Sequence, residues 1–257
     1  YRRSDMSMLE LTPDFIKEFA AYLSTEAGLR NGSIWANCMW LKGVVMKAHY
    51  NGLIPRNPFI QFHISPNVKE REYLTEDELK AVMTHEFADS KLAYIRDIFI
   101  FASFTALSFV DIQELTNDNI VEVNGEKWIL SKRHKTKVAF QVKLLDIPLQ
   151  IVERYRPMQK DNRIFPGLNY WSICKPLKRM IRECGITKSI SFHCSRHGFA
   201  TLALSKGMPI ESVSRVLGHT NIVTTQLYAK ITTQKLDNDL TMFGDKLSKT
   251  FNGITMS

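Results

Sequence analysis

The sequence predicts a mainly α-helical protein with one small β-hairpin (α+β class), divided into two domains. Three observations support this prediction. Apolar residues recur at helical spacing along most of the chain, and several of these stretches begin at a helix-capping residue. Residues 127–144 instead contain strand-forming residues, in part alternating apolar and polar. Residues 57–73 have no clear period and include two prolines, which is typical of a linker.

Two helices are predicted in the first domain, residues 1–60. The stretch 12–29 begins with Thr12 as N-cap, followed by a proline at the first helical position. The second helix begins at Ser33 and ends at Gly52. Because two amphipathic helices need a further partner to close a core, we expect this domain to be truncated at its N-terminus.

The second domain is predicted to follow a linker at 61–74 and to cover residues 75–257. Thr75 and Glu78 form a capping box at the start of its first helix. The next stretch, 92–107, is strongly apolar and predicts a buried helix, and a further helix is expected to begin near residue 109.

The hairpin at 127–144 has a basic tip. Its strand formers flank the polar turn "SKRHKTK", in which four of seven residues are Lys or Arg. Such a run on its own is more typical of a solvated loop than of a binding site. The strand formers are Trp128, Ile129, Val138, Phe140 and Val142.

The chain is predicted to be helical from residue 170 onward. Gly207 and Gly218 lie at plausible C-caps, and Pro209 is expected to open another helix. The last segment carries Leu236, Leu240 and Phe243 at helical spacing, which predicts a tail helix.

Composition and charge restrict the function. Lys and Arg outnumber Asp and Glu by 34 to 26, a net charge of +8, which indicates a polyanionic partner. No apolar run approaches the roughly 20 residues that span a membrane. Four scattered cysteines without a C-x-x-C pair suggest neither a zinc site nor a disulfide framework, so we expect reduced thiols in a cytoplasm.

Four residues in the last third of the chain combine into one ordered pattern. His193 and Arg196 are three residues apart and share a helix face. An L-G-H triplet ending at His219 follows, and Tyr228 comes nine residues later. A lone H-x-x-R is most often a capping histidine and a surface arginine, so only the combination indicates a site.

This order resembles the C-terminal signature of the tyrosine recombinases, the phage integrase family. The strand "KTKVAFQVKL" is similar to the family's hairpin with its active-site lysine, and "FTALSFVDIQELT" is similar to the segment T-G-L-R-x-x-E-L. The resemblance implies a helical, SAM-like core-binding domain before a tyrosine-recombinase catalytic domain with a C-terminal tail helix.

The resemblance implies a site-specific recombinase that cleaves and rejoins DNA through a 3′-phosphotyrosine. Tyr228 would attack phosphorus, Arg196 and His219 would stabilise the phosphate, and His193 would assist. Lys135 is expected to protonate the leaving 5′ oxygen, with Lys132 and Lys137 as competitors. His197 is interpreted as structural. No cofactor and no metal ion are expected, because cationic side chains take over the electrostatic role of a metal.

The sequence departs from the family pattern at Ser108, where the family's first catalytic arginine is expected. Integrases of bacterial conjugative transposons form a branch in which this arginine can be absent, and the chain looks most like that branch. Two replacements are arguable, Arg133 at the hairpin tip and Arg96 on the preceding helix. Arg133 and Lys135 are expected on the same side of a strand, whereas Arg96 could equally form a structural salt bridge, for example with Asp111.

The resemblance implies double-stranded DNA as the partner and the integration or excision of a mobile element in a bacterial cytoplasm. Two domains joined by a linker could close around the duplex. Four protomers would assemble on DNA by exchanging tail helices, with accessory DNA-bending proteins as further partners. The expected DNA-binding residues are Lys132, Arg133, Lys137, Lys42 and Lys47.

Other classes of function compete with this interpretation. The stretch 197–219 can be interpreted as a helix-turn-helix of a DNA-binding protein without catalysis. That alternative gains weight from the missing arginine, but it explains neither Tyr228 nor the basic hairpin. A type IB topoisomerase shares the nucleophile, and a scaffold of a nucleoprotein complex is a further alternative.

Overall fold

The computed structural model describes residues 5–65, 72–135, 137–159, 161–229 and 233–250; for 233–235 and 238 it describes the backbone alone. The chain forms two compact units, residues 1–70 and 71–257, with the break near the predicted linker. Residues 66–71 of that linker lie outside the described part.

The first unit is built on two helices, α1 (Pro13–Thr25) and α2 (Asn31–Tyr50). Thr12 caps α1 as predicted, because its hydroxyl accepts the Phe15 N–H. The segment that follows α2 supplies a third element of the core, and its Phe59 is only 2% exposed. The packed cluster comprises Ile16, Val45, Ala48, Ile54 and Phe59.

The second unit opens with three helices, α3 (Glu76–Thr84), α4 (Ser90–Thr105) and α5 (Phe109–Gln113). The capping box of Thr75 and Glu78 is formed as predicted. Helix α4 is buried over most of its surface and is the central element of the core. Its C-cap is Ala106, a non-glycine residue with a left-handed φ of 57°.

A three-stranded antiparallel sheet follows, in the order β1 (Ile120–Val123), β2 (Glu126–Lys132) and β3 (Ala139–Lys143). The predicted hairpin corresponds to β2 and β3, whereas β1 was not predicted. Its signal is the Asn124-Gly125 turn, where both residues have positive φ, as a two-residue hairpin requires.

Six further α-helices follow the sheet in the described part of the chain. They are α6 (Asp146–Tyr155), α7 (Tyr170–Glu183), α8 (Cys194–Ser205), α9 (Ile210–Leu217), α10 (Val223–Gln226) and α11 (Thr233–Thr250). Helix α8 packs on α4, and this contact fixes the residues at the start of α8 within the interior. No helix of the described part is long and apolar enough to cross a bilayer.

Candidate active site

Arg196 is held by the carbonyl oxygens of two helix ends. Its Nη1 donates to the Ala106 oxygen at the end of α4 at 2.8 Å, and its Nη2 donates to the Leu217 oxygen at the end of α9. The last carbonyls of a helix have no intrahelical partner and carry the negative end of its dipole. Burial, and then the charge of Arg133, lowers the pKa of Arg196 to about 10, so the guanidinium stays charged at neutral pH.

Arg133 is a second buried guanidinium beside Arg196. Its Nη2 donates to the Val216 oxygen at 2.5 Å, one residue before the carbonyl that binds Arg196. Its Nη1 donates to Asp111 Oδ2 at 2.8 Å, and the cation lies 4.2 Å from the centre of the Phe140 ring. Its Nε is the one buried side-chain nitrogen or oxygen of the described residues without a hydrogen-bond partner.

This inward orientation of Arg133 differs from the prediction that it shares one side of a strand with Lys135. Strand β2 ends at Lys132, and the chain then turns, with the Lys137 N–H donating to the Arg133 oxygen. Asp111 attracts the guanidinium into the interior, so Arg133 is 5% exposed, while Lys135 stays exposed in the turn.

Asp111 connects Ser108 to the hairpin. Ser108 is the N-cap of α5, and its hydroxyl donates to Asp111 Oδ2 at 2.7 Å. The His134 N–H donates to Oδ1 of the same carboxylate at 2.9 Å. Burial alone would raise the pKa of Asp111, but the bonds from His134, Ser108 and Arg133 outweigh it and lower the pKa. Asp111 therefore stays ionised and fixes Arg133.

Gly218 lies directly against the Arg133 side chain. It caps α9 with a φ of 63°, a conformation that strongly favours glycine. A Cβ built at this position would lie 2.9 Å from Arg133 Nε and 3.1 Å from its Cγ. The glycine of the L-G-H triplet thus serves both the helix end and the space that Arg133 occupies.

His219 follows that glycine and is partly buried. Its Nδ1 lies 2.8 Å from the hydroxyl of Thr225, which is fully buried at α10. Burial, with the positive charges of Arg196 and Arg133, lowers the pKa of His219 to about 4. The imidazole is therefore neutral at pH 7, and a Thr225 hydroxyl that donates to Nδ1 leaves the proton on Nε2 for donation.

Tyr228 reaches the same cluster from the end of α10. Its hydroxyl oxygen lies 2.6 Å from Nδ1 of His197, a histidine that is 3% exposed. The ring of His193, the N-cap of α8, packs edge-on against His197 with the ring centres 4.5 Å apart. Tyr228 also interacts electrostatically with Arg196. Sequence reasoning missed this contact of His197.

The structure thus brings together His193, Arg196, His219, Tyr228 and Arg133. Ser108 and His193 also border a surface cleft of about 340 Å³. Lys132, Lys135 and Lys137 are exposed around the hairpin turn, and Lys42 and Lys47 lie on α2 of the first unit.

Arg96 does not belong to this cluster. Its Nε donates to Asp97 at 2.9 Å and its Nη1 donates to the His85 oxygen at 2.9 Å. Asp97 is buried and also binds Arg154 and Tyr155. The suggested pairing of Arg96 with Asp111 is not formed, because Asp111 binds Arg133. Arg96 is thus a structural residue, about 15 Å along α4 from Ala106 at 1.5 Å per residue.

Comparisons with known proteins decide the family. A model described as "Phage integrase family" matches residues 72–235, and a model of the phage integrase SAM-like domain matches residues 1–64. The chain belongs to the phage integrase family. It is therefore a tyrosine recombinase, an enzyme that transfers DNA strands in site-specific recombination, and the family predicted from the sequence is confirmed.

Two relatives among the tyrosine recombinases illustrate the similarity. XerA of Pyrococcus horikoshii is 32% identical over an alignment of 177 residues, and the match covers 63% of this chain and 58% of XerA. XerC of Lactobacillus leichmannii is 25% identical over an alignment of 229 residues, and the match covers 83% of this chain and 77% of XerC.

Two solved structures share the fold of this recombinase. The Tn1549 transposon integrase in complex with circular intermediate DNA superimposes with a TM-score of 0.76 at 18% identity, covering 93% of this chain and 88% of the integrase. A lambda integrase dimer bound to a core site superimposes with a TM-score of 0.69 at 18% identity, covering 88% and 82%. The mainly helical fold with a small sheet is confirmed.

Proposed function

We propose that this recombinase cleaves and rejoins double-stranded DNA through a covalent 3′-phosphotyrosine at Tyr228. The observation that carries the proposal is the convergence of the Tyr228 hydroxyl with two guanidiniums and a neutral imidazole. A DNA phosphodiester resists attack because its anionic oxygens repel nucleophiles. A site with fixed cationic donors lowers that barrier without rearranging as charge develops.

Each residue of the cluster has a distinct role in the proposal. Tyr228 forms the bond to phosphorus, and Arg196 binds the non-bridging oxygens with N–H groups that its two carbonyl bonds leave over. His219 donates a hydrogen bond from its Nε2–H group to the phosphate. His193, exposed at the start of α8, holds the phosphate or assists proton transfer.

Arg133 supplies the second guanidinium that Ser108 cannot provide. The Ser108 hydroxyl is already bound to Asp111, and a hydroxyl is neutral. Arg133 lies on that same carboxylate and beside the carbonyl that precedes the Arg196 anchor. The charge of Arg133, like that of Arg196, lowers the pKa of His219. These contacts favour Arg133 over Arg96 as the replacement.

Lys135 is the proposed acid for the leaving 5′ oxygen. It lies exposed in the turn two residues after Arg133, where bound DNA could draw it to the phosphate. Lys132 and Lys137 are its competitors for this role and, with Lys42 and Lys47, are proposed to bind DNA phosphates. The 5′ hydroxyl of a second strand then attacks the phosphotyrosine, reversing the cleavage chemistry.

The proposed reaction integrates or excises a mobile element in the bacterial cytoplasm. Solved structures of the same fold include a transposon integrase and a lambda integrase dimer, each bound to DNA. We propose that both units contact the duplex and that four protomers assemble on it, with accessory DNA-bending proteins. The apolar residues on α11 support tail exchange, since Leu236, Leu240 and Phe243 are all about half exposed.

The proposal is tested by an assay for a covalent adduct between Tyr228 and DNA. The chain is incubated with a library of nicked duplexes with randomised cores, in which cleavage releases a short strand and prevents religation. We expect a slowly migrating adduct that is lost in Tyr228→Phe and kept in Tyr22→Phe, an exposed tyrosine on α1. Sequencing the attached DNA identifies the target.

The alternative is a DNA-binding protein of the same fold with impaired catalysis, which the serine at position 108 favours. If the chain binds DNA but forms a covalent adduct with no duplex of the library, that result would support the alternative and overturn the proposed function. Joining of the captured strand to a second duplex, rather than relaxation of supercoils alone, separates a recombinase from a type IB topoisomerase.

A further inference from the structure

The environment of the Tyr228 hydroxyl contains a group with no assigned part in the reaction. His197 follows Arg196 on α8, and its Nδ1 lies 2.6 Å from the phenolic oxygen. The two rings are tilted by 36° with their centres 5.3 Å apart, so the contact is made through the nitrogen rather than by stacking. At 3% exposure, the imidazole has almost no access to solvent.

The chemistry of strand cleavage requires that the phenol lose its proton. An ordinary tyrosine has a pKa of about 10 and an ordinary histidine one of about 6.5, so a neutral imidazole is the usual acceptor near neutral pH. A general base must lie within about 2.6–3.2 Å of the oxygen that it deprotonates. In the described structure, Nδ1 of His197 meets this distance.

Resting on the proposed function, we infer that His197 is the proton acceptor that activates Tyr228. In the step, the Tyr228 oxygen forms a bond to phosphorus while its proton passes to Nδ1 of His197. The bond from phosphorus to the 5′ oxygen breaks, and that oxygen takes a proton from the acid at the hairpin. The proton returns from His197 to Tyr228 when the strands are rejoined.

The surroundings of His197 suit this role. His193 and Arg196 face the site from the same helix, Arg133 and Asp111 from the hairpin and α5, and His219 from the loop after α9. Two guanidiniums against one carboxylate leave a positive field that stabilises the phenolate as it forms. The phosphate of bound DNA opposes this field at His197 and favours its protonation during attack.

The test separates proton acceptance from positioning. His197→Asn keeps an acceptor oxygen near the place of Nδ1 but cannot take a proton. The substrate is the nicked duplex recovered with the unsubstituted chain, with sulfur in place of the leaving 5′ oxygen, so that departure needs no acid. We expect the single-turnover cleavage rate to fall at least about 100-fold, within the range for general acid–base catalysis.

The pH profile is the second readout. The unsubstituted chain is expected to lose cleavage as the pH falls through the range where imidazole is protonated, and His197→Asn is expected to lack this step. The matched control is His85→Asn, at the end of α3 with its ring against Phe87, which should keep the rate and the profile. Cleavage by His197→Asn within about threefold of the unsubstituted chain, with an unchanged profile, would overturn the inference.

A third measurement does not depend on the folding of a variant at position 197. Ring-fluorinated tyrosine is incorporated at position 228, which lowers the pKa of the phenol. If His197 accepts the proton, the low-pH step stays where it is, because the imidazole titrates. A step that moves with the pKa of the phenol contradicts the inference. Failure of the unsubstituted chain to form any adduct would instead overturn the proposed function.

Discussion

Arg133 and Lys135 lie two residues apart in one basic turn, and their environments are opposite. Arg133 is bound to Asp111 and Val216 and is 5% exposed, whereas Lys135 is exposed to solvent. The buried guanidinium has lost most of its conformational freedom on folding, whereas the exposed lysine would lose its own only in the proposed contact with DNA. Thus one basic run contains both a buried, fixed cation and exposed ones.

The largest expected effect comes from removing the fixed member of this pair. Arg133→Ala should slow strand cleavage by about 100- to 1000-fold, as the loss of one transition-state donor commonly does. Lys132→Ala, at the exposed end of β2, is the matched control and should weaken DNA binding slightly. Single-turnover cleavage of the nicked duplex measures both.

Stability must be measured with the same variants, because Asp111 would be left buried and unpaired. Breaking a buried ion pair costs about 3–5 kcal/mol in the free energy of unfolding. Arg133→Lys keeps the charge and loses the two-pronged geometry, so partial recovery of cleavage is expected. Equal cleavage rates of Arg133→Ala and Lys132→Ala would show that Arg133 does not act in the catalytic site.

An intermediate effect is expected from Gly218→Ala, which disturbs Arg133 without touching its charge. The left-handed backbone costs a non-glycine residue about 1–2 kcal/mol, and the new methyl group would displace the guanidinium. Gly207→Ala, with a φ of 87° and open space around its Cβ position, controls for the backbone cost. Cleavage should fall more in Gly218→Ala than in Gly207→Ala at similar thermal stability, and the reverse order would argue against the contact.

The smallest expected effect is the pH dependence of stability caused by His219. Its folded pKa of about 4 lies below the ordinary 6.5, so the neutral form is favoured on folding. This contribution to stability is present above pH 6.5 and is lost as the pH falls from about 6.5 to about 4. Chemical unfolding should show a smaller loss in His219→Gln, and a duplex should raise the pKa of His219 in an NMR titration. An equal loss of stability at low pH in the unsubstituted chain and in His219→Gln would contradict the assignment of this pH dependence to His219.

Much of the fold could be predicted from local chemistry. The caps at Thr12 and Thr75 depend on neighbouring residues only, and both are formed as expected. Strand β1 was missed although its Asn124-Gly125 turn was visible in the sequence. Helix α6 was not predicted from the sequence, because Pro148 lies within it. Proline is tolerated there because Pro148 is in the first turn of the helix.

The site was predictable as a set of residues but not as a geometry. The motif order predicted Arg196, His219 and Tyr228 as candidates. The direction of Arg133 instead depends on Asp111, 22 residues away, and on Val216, 83 residues away. No periodicity within the hairpin contains this information.

His197 illustrates why helix-face reasoning failed at α8. Adjacent residues on a helix point about 100° apart, which is why His197 was interpreted as structural and not as a neighbour of Arg196 in the site. Four consecutive residues from Cys194 to His197 are buried, because the start of α8 is surrounded on several sides. Neighbours in sequence can then both face the site, from different directions.

The anchors of Arg196 have a consequence for how substrate enters. The cation is oriented by the uncharged oxygens of Ala106 and Leu217 and not by a carboxylate. A phosphate can therefore bind Arg196 without displacing a carboxylate from it. The positive charge of Arg196 remains available to attract the phosphate. The site is in this respect suited to binding a polyanion, because uncharged backbone groups orient Arg196.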